Sequence, residues 1–135
     1  MALLTWTEEN SVGVHALDTQ HQQLFGIVNE LHDAMLREQA QEQTGHLLRK
    51  LVDYTKTHFS AEETILQKAQ YPSLAAHRVK HQNLVRQIQE FSRRHARGEV
   101  TVNSHLLDYL REWLTHHLSK EDKEYGPWLR RHGIQ

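Results

Sequence analysis

Six side chains suited to binding a metal stand where a helical protein would place leucine. His21, His58, Glu62, His77, His81 and His117 each fall on the apolar stripe of a proline-free segment, placed at about 100° per residue. His21 lies between Leu17 and Leu24. His58 and Glu62 are i, i+4 on the stripe of Leu51 and Tyr54. His77 and His81 share the same spacing in line with Leu74 and Val85, and His117 follows Leu106, Leu110 and Trp113. One inward histidine is usually a core residue with a hydrogen-bond partner. Five of them with a carboxylate demand a common partner, because an unpaired buried carboxylate or imidazole costs several kcal/mol. A metal ion inside the fold meets that demand.

Four segments must position these residues, with helical periodicity over about Asp18–Arg37, Gly45–Ala69, Leu74–Arg97 and Asn103–Asp122. Asp18 or Thr19 is the expected first N-cap, the polar stretch Glu38–Thr44 the first break, and Gln70-Tyr71-Pro72-Ser73 the second. Gly98 is the expected C′ residue of the third helix, and Gly126-Pro127 is expected to stop the fourth. The expectation is an all-α, antiparallel up-down-up-down four-helix bundle. It carries an N-terminal extended arm through residue 17 and a short aromatic C-terminal tail, all within one domain over 1–135. In such a bundle the start of helix one, the end of two, the start of three and the end of four share one end. All six residues then lie at one level.

Of the 12 histidines, His32 and His95 also face inward. They lie about 16 and 21 Å along their helices from His21 and His81. They are read either as a polar cap beneath the loops or as a second site. His15, His46, His105, His116 and His132 are read as solvated.

The chain has no Cys, which excludes disulfides, thiolate metal sites and a cysteine nucleophile. Nitrogen and oxygen donors fit iron, manganese, zinc, nickel or copper, and the number of ligands suits two ions. A ferritin-like carboxylate site would need Glu-x-x-His, which does not occur here. With 16 Lys and Arg against 17 Asp and Glu, the charge is −1, which offers no electrostatic footprint for nucleic acid. No stretch approaches a membrane span and the start lacks a signal peptide, so a cytoplasmic location is expected.

The motifs Asp18-Thr19-Gln20-His21, His58-Phe-Ser-Ala-Glu62-Glu, His77-x-x-x-His81 and Trp113-Leu-x-x-His117-Leu-x-x-x-Asp122 resemble, in order, the four helix motifs of the hemerythrin family. The resemblance runs from Trp6 to Tyr125. It implies an oxo- or hydroxo-bridged diiron centre that binds O₂ reversibly. Carried over, His77, His81 and His117 hold one iron, His21 and His58 the other, and Glu62 and Asp122 bridge them. Counting ligands then leaves one position open, on the iron with two histidines. Trp113, Leu114 and Leu118 match residues that wall the oxygen pocket. One assignment conflicts with ideal geometry: from His117, α-helical spacing favours Glu121 at i+4, about 40° away, over Asp122, about 140° away. The family pattern requires Asp122, and hence a loosened last turn. Leu17 and Leu66 stand where Ile and Met are frequent in the family, and neither is a ligand.

The resulting expectation is an oxygen carrier or store with O₂ as its ligand and no enzymatic activity. It would act as a monomer beside a transient oxygen-consuming client enzyme. The alternatives are a diiron redox enzyme acting on peroxide or nitric oxide, with Tyr54 or Tyr109 as proton donor, or a module that senses O₂ or iron.

Overall fold

Two prolines in 135 residues leave long stretches free to form i→i−4 hydrogen bonds. In the computed structural model, which describes residues 3–135, those stretches form α1 (His15–Leu36), α2 (Gln41–Lys68), α3 (Leu74–Ala96) and α4 (Ser104–His116). α4 continues into a π-helical segment, His117–Asp122, and then into α5 (Lys123–Arg131). No strand occurs among the described residues. α1 packs along α2, α2 along α3, and α4 closes the bundle against α1. The four-helix, all-α bundle expected from the periodicity is the observed fold.

The helix ends follow from local chemistry. After α3, Gly98 takes a positive φ of 75°, and the Glu99 N–H reaches back to the Arg94 carbonyl, a Schellman closure. Glu38 and Gln70 adopt the same left-handed turn after α1 and α2, with φ of 50° and 55°, although neither is glycine. α4 opens on Asn103, whose side chain accepts the Leu106 N–H at 3.0 Å.

Three boundaries differ from the sequence reading. α1 begins at His15 with Val14 in the N-cap position, not at Asp18 or Thr19. The Asp18 carboxylate instead accepts the Val12 N–H at 2.8 Å and the Ser11 hydroxyl, tying the arm to the helix it precedes. α2 starts at Gln41, inside the stretch read as a loop. Gly126-Pro127 does not end the chain's helix, because α5 runs through both to Arg131. Proline removes one hydrogen bond and crowds the carbonyl four residues back, here that of Lys123. That carbonyl stands directly after the π turn, where four-residue pairing is already interrupted.

The apolar interior has two parts. The larger joins all four long helices through residues such as Leu24, Val28, Leu31, Leu51, Leu84, Ile88, Leu107, Leu110 and Leu118. The smaller, of Val12, Val14, Leu17, Leu66, Ala69, Tyr125 and Leu129, lies where the arm meets α5. Arg130 donates to the Val12 carbonyl at 2.8 Å across this junction. Gly126 is required there, since a Cβ would collide with the Val12 carbonyl oxygen. The arm is extended apart from a 3₁₀ turn at Glu8–Asn10, and Leu4 is held by a paired amide contact with Asn29 at 2.8 Å in both directions.

At the far end, His95 is buried against the Thr44 hydroxyl at 3.0 Å, and Gln41 donates to its carbonyl. His32 is half-buried, and neither it nor His95 joins a metal-competent cluster among the described residues. This is the polar cap. The five histidines read as solvated are all exposed.

Candidate metal centre

The antiparallel bundle brings the N-terminal part of α1, the C-terminal half of α2, the start of α3 and the π segment to one level. His21, His58, Glu62, His77, His81, His117 and Asp122 meet there, every one of them buried. They form two overlapping groups that could each hold an ion. One is His77, His81 and His117 with Glu62 and Asp122, and the other is His21 and His58 with Glu62.

The two carboxylates divide their oxygens between the groups. Glu62 Oε1 is 2.6 Å from His77 Nε2 and 3.3 Å from His81 Nε2, while its Oε2 is 3.3 Å from His21 Nε2 and 3.2 Å from His58 Nε2. Asp122 repeats the division. Its Oδ1 lies 3.1 Å from His77 and 2.9 Å from His117, and its Oδ2 lies 3.3 Å from His21. Glu121 stays outside, with Oε2 3.3 Å from the Nδ1 of His117. The i→i+5 turn over His117–Asp122 is the loosening that lets Asp122 reach inward where a regular helix would present Glu121.

The donor set fits a metal. Both Asp122 oxygens are fully buried without a well-formed hydrogen bond. The Nε2 atoms of His81 and His117 approach to 3.1 Å, so two ring nitrogens converge on common space. On the outer side, His81 Nδ1 is 2.8 Å from Glu63 Oε2 and His58 Nδ1 is 2.6 Å from Gln20 Oε1. An acceptor there keeps the proton on Nδ1 and leaves the inward Nε2 lone pair for a cation.

Electrostatics within the metal-free cluster follow from charge pairing. Burial resists protonation of His77, but the adjoining Asp122 and Glu62 carboxylates outweigh it and raise its pKa to about 10. His21 is raised in the same way, while burial prevails at His58 and lowers it. Glu62 is held well below the ordinary carboxylate range, its burial overcome by hydrogen bonds from four histidines. Asp122 is also lowered: burial and the Glu62 charge oppose ionisation, and His117 and His77 outweigh them.

Two aromatic rings brace the three-histidine group. Phe59 lies parallel on His81, centroids 3.6 Å apart and planes at 2°, and Trp113 stacks on His117 at 4.4 Å. Leu114 and Leu118 are buried in the main core. Sequence reasoning missed Phe59, Tyr125, Gln20 and Glu63. Tyr125 is completely buried and donates from its hydroxyl to Glu62 Oε2 at 3.1 Å. Burial, then the Asp122 and Glu62 charges, push its phenol well above the usual value. Of the two tyrosines read as proton donors, Tyr54 donates to the Gln20 carbonyl and Gln23, and Tyr109 is exposed. No sequence signal singled out Tyr125, because it stands directly before Gly126-Pro127, where the sequence reading ended the helix and its periodicity.

A family model described as the hemerythrin HHE cation binding domain matches residues 12–129. The bacteriohemerythrin of Methylococcus capsulatus is 40% identical over 96% of this chain and 98% of its own length. That of Stenotrophomonas maltophilia is 32% identical over 98% of this chain and 85% of its own. A solved wild-type hemerythrin structure superposes with a TM-score of 0.90 at 38% identity, covering 95% of this chain and 98% of that one. No helix among the described residues is long and apolar enough to cross a membrane.

Proposed function

The chain belongs to the hemerythrin family, and on that premise we propose that it binds O₂ reversibly at a diiron centre, as a carrier or store rather than an enzyme. The division of the Glu62 and Asp122 oxygens between three histidines on one side and two on the other carries this reading. His77, His81 and His117 would hold one iron and His21 and His58 the other, with Glu62 and Asp122 spanning both. When bound, the pair would supply a place for O₂ to bind and the electrons that it takes up.

This chain's own residues do the rest. Gln20 and Glu63 hold the Nδ1 protons of His58 and His81 outward, so the Nε2 lone pairs stay aimed at the ions. Tyr125 steadies Glu62 by hydrogen bonding. Leu114 and Leu118, with Trp113, form the apolar wall of the oxygen pocket and exclude the water and acids that would let reduced oxygen escape. On the same reading one domain acts as a cytoplasmic monomer and yields O₂ to an oxygen-consuming client. In keeping with that, the large apolar side chains exposed among the described residues, Leu36, Val79 and Tyr109, stand on three different helices.

The test is to purify the protein in air, measure iron per chain, and record the visible spectrum while cycling between O₂ and argon. Two irons and a reversible colour change are expected. Zinc alone, no metal, or irreversible bleaching with turnover of peroxide or nitric oxide would overturn the proposal.

A further inference from the structure

The outer nitrogens of the histidines are held unequally on the two sides of the centre. In the three-histidine group, His81 Nδ1 is 2.8 Å from Glu63 Oε2 and His117 Nδ1 is 3.3 Å from Glu121 Oε2. Both partners are carboxylates. In the two-histidine group, His58 Nδ1 faces the neutral amide oxygen of Gln20 at 2.6 Å, and His21 Nδ1 is buried with no partner. The outer carboxylates are chain neighbours of the inner ones, Glu63 following Glu62 and Glu121 preceding Asp122. Each is fixed from outside by a cation: Arg78 Nε lies 3.1 Å from Glu63 Oε1, and Lys80 donates to Glu121 Oε1.

An anionic partner on the far nitrogen makes an imidazole a stronger donor to a metal and locks its ring orientation, whereas an amide does so more weakly. We infer that Glu63 and Glu121 are positioning residues that make the three-histidine position the tighter of the two, so that the first metal ion enters there and the second follows between His21 and His58. This rests on the metal-centre reading above and adds to it an order of loading and the residues that set it.

The experiment titrates the metal-free full chain with Zn²⁺, following imidazole nitrogen resonances by NMR and step affinities by chelator competition. His77, His81 and His117 should respond to the first equivalent and His21 and His58 to the second. Glu63→Gln and Glu121→Gln should weaken the first step by about tenfold to a hundredfold and leave the second nearly unchanged. Gln20→Glu should strengthen the second step by a similar factor, a gain that a merely structural role would not produce. Thermal unfolding of each metal-free variant checks that the bundle is intact. A first equivalent that goes to His21 and His58, equal weakening of both steps, or a Gln20→Glu variant unchanged at the second step would overturn the inference. Failure of the wild type to take up any zinc would instead sink the metal-centre reading, and this inference with it.

Discussion

Replacing Phe59 by alanine tests the support that the bundle gives to His81. Phe59 is 4% exposed, lies in the main core and covers the whole face of the His81 ring. Truncating a buried phenylalanine costs about 3–5 kcal/mol, from lost apolar transfer and the cavity left behind. A chain of this length has roughly 7–20 kcal/mol in all. The metal-free melting temperature should therefore fall by roughly 10–20 °C. Phe59→Leu keeps an apolar plug and loses mainly the stack and some volume, so it should cost only about 1–2 kcal/mol. The position has a second consequence. Phe59, His81 and Glu63 line a groove of ≈ 370 Å³ between α2 and α3, together with Lys56, Ser60 and Val85. The alanine variant opens that groove onto His81, and water reaching the centre should hasten irreversible loss of the O₂-dependent colour in air. Urea unfolding of the metal-free protein and the decay of that colour are the two measurements. A cost below about 1 kcal/mol for Phe59→Ala would show that the ring does not fill this space, and the reasoning would fail.

Asp122→Ala should abolish binding of two metals per chain, whereas Glu121→Ala should retain two at saturation, as metal analysis of the purified variants will show; the opposite pattern would return the inward role to Glu121. Stability of the metal-free protein should depend on pH from both sides. Glu62 is held below its ordinary 4.5, so its contribution is full above that value and is lost as pH falls through the lowered one. His77 is raised from 6.5 to about 10, so its contribution is full below 6.5 and is lost as pH rises toward 10. Melting temperatures across that range should peak between those ordinary values, and a rise on the alkaline side would contradict the pairing. Metal uptake follows the reverse trend, because the His77 proton must leave; calorimetry in buffers of different ionisation enthalpy should detect its release. Gly126→Ala should destabilise by about 1–3 kcal/mol through collision with the Val12 carbonyl, and limited proteolysis should then cut the arm first.

The bundle and the inward histidines were legible because polar residues on an apolar stripe contradict the pattern around them, as His21 does between Leu17 and Leu24. Phe59 and Tyr125 were not, because an apolar or aromatic side chain in a core position contradicts nothing. Glu63 and Gln20 each sit about 100° from a residue of the stripe, where a polar side chain reads as solvated. Their partners come from other helices, His81 and His58, so the contact exists only in three dimensions. The start of α1 was misread for a related reason. Asp18 has the right chemistry for a cap but spends its carboxylate on Ser11 and Val12, a tertiary use that no local rule anticipates. The Gly126-Pro127 stop failed because a local breaker rule assumes a regular helix before it, and the turn before α5 is not regular.

That turn has a consequence for how the chain tolerates insertions and deletions. Before it, the buried residues Leu106, Leu107, Leu110, Leu114 and His117 define one helix face. After it, Asp122, Tyr125, Gly126 and Leu129 define a face about 90° further round, close to the rotation of one residue. The six residues His117–Asp122 therefore act as a phase shifter, equivalent to one residue too many in an otherwise continuous helix. Removing exposed Ser119 or Lys120 would cancel that extra residue, so that a regular helix would carry Asp122, Tyr125 and Leu129 on the face of Leu110 and Leu114. In the undeleted chain a regular helix would instead turn all three away from the bundle, so the extra residue and the π turn can only be kept or lost together.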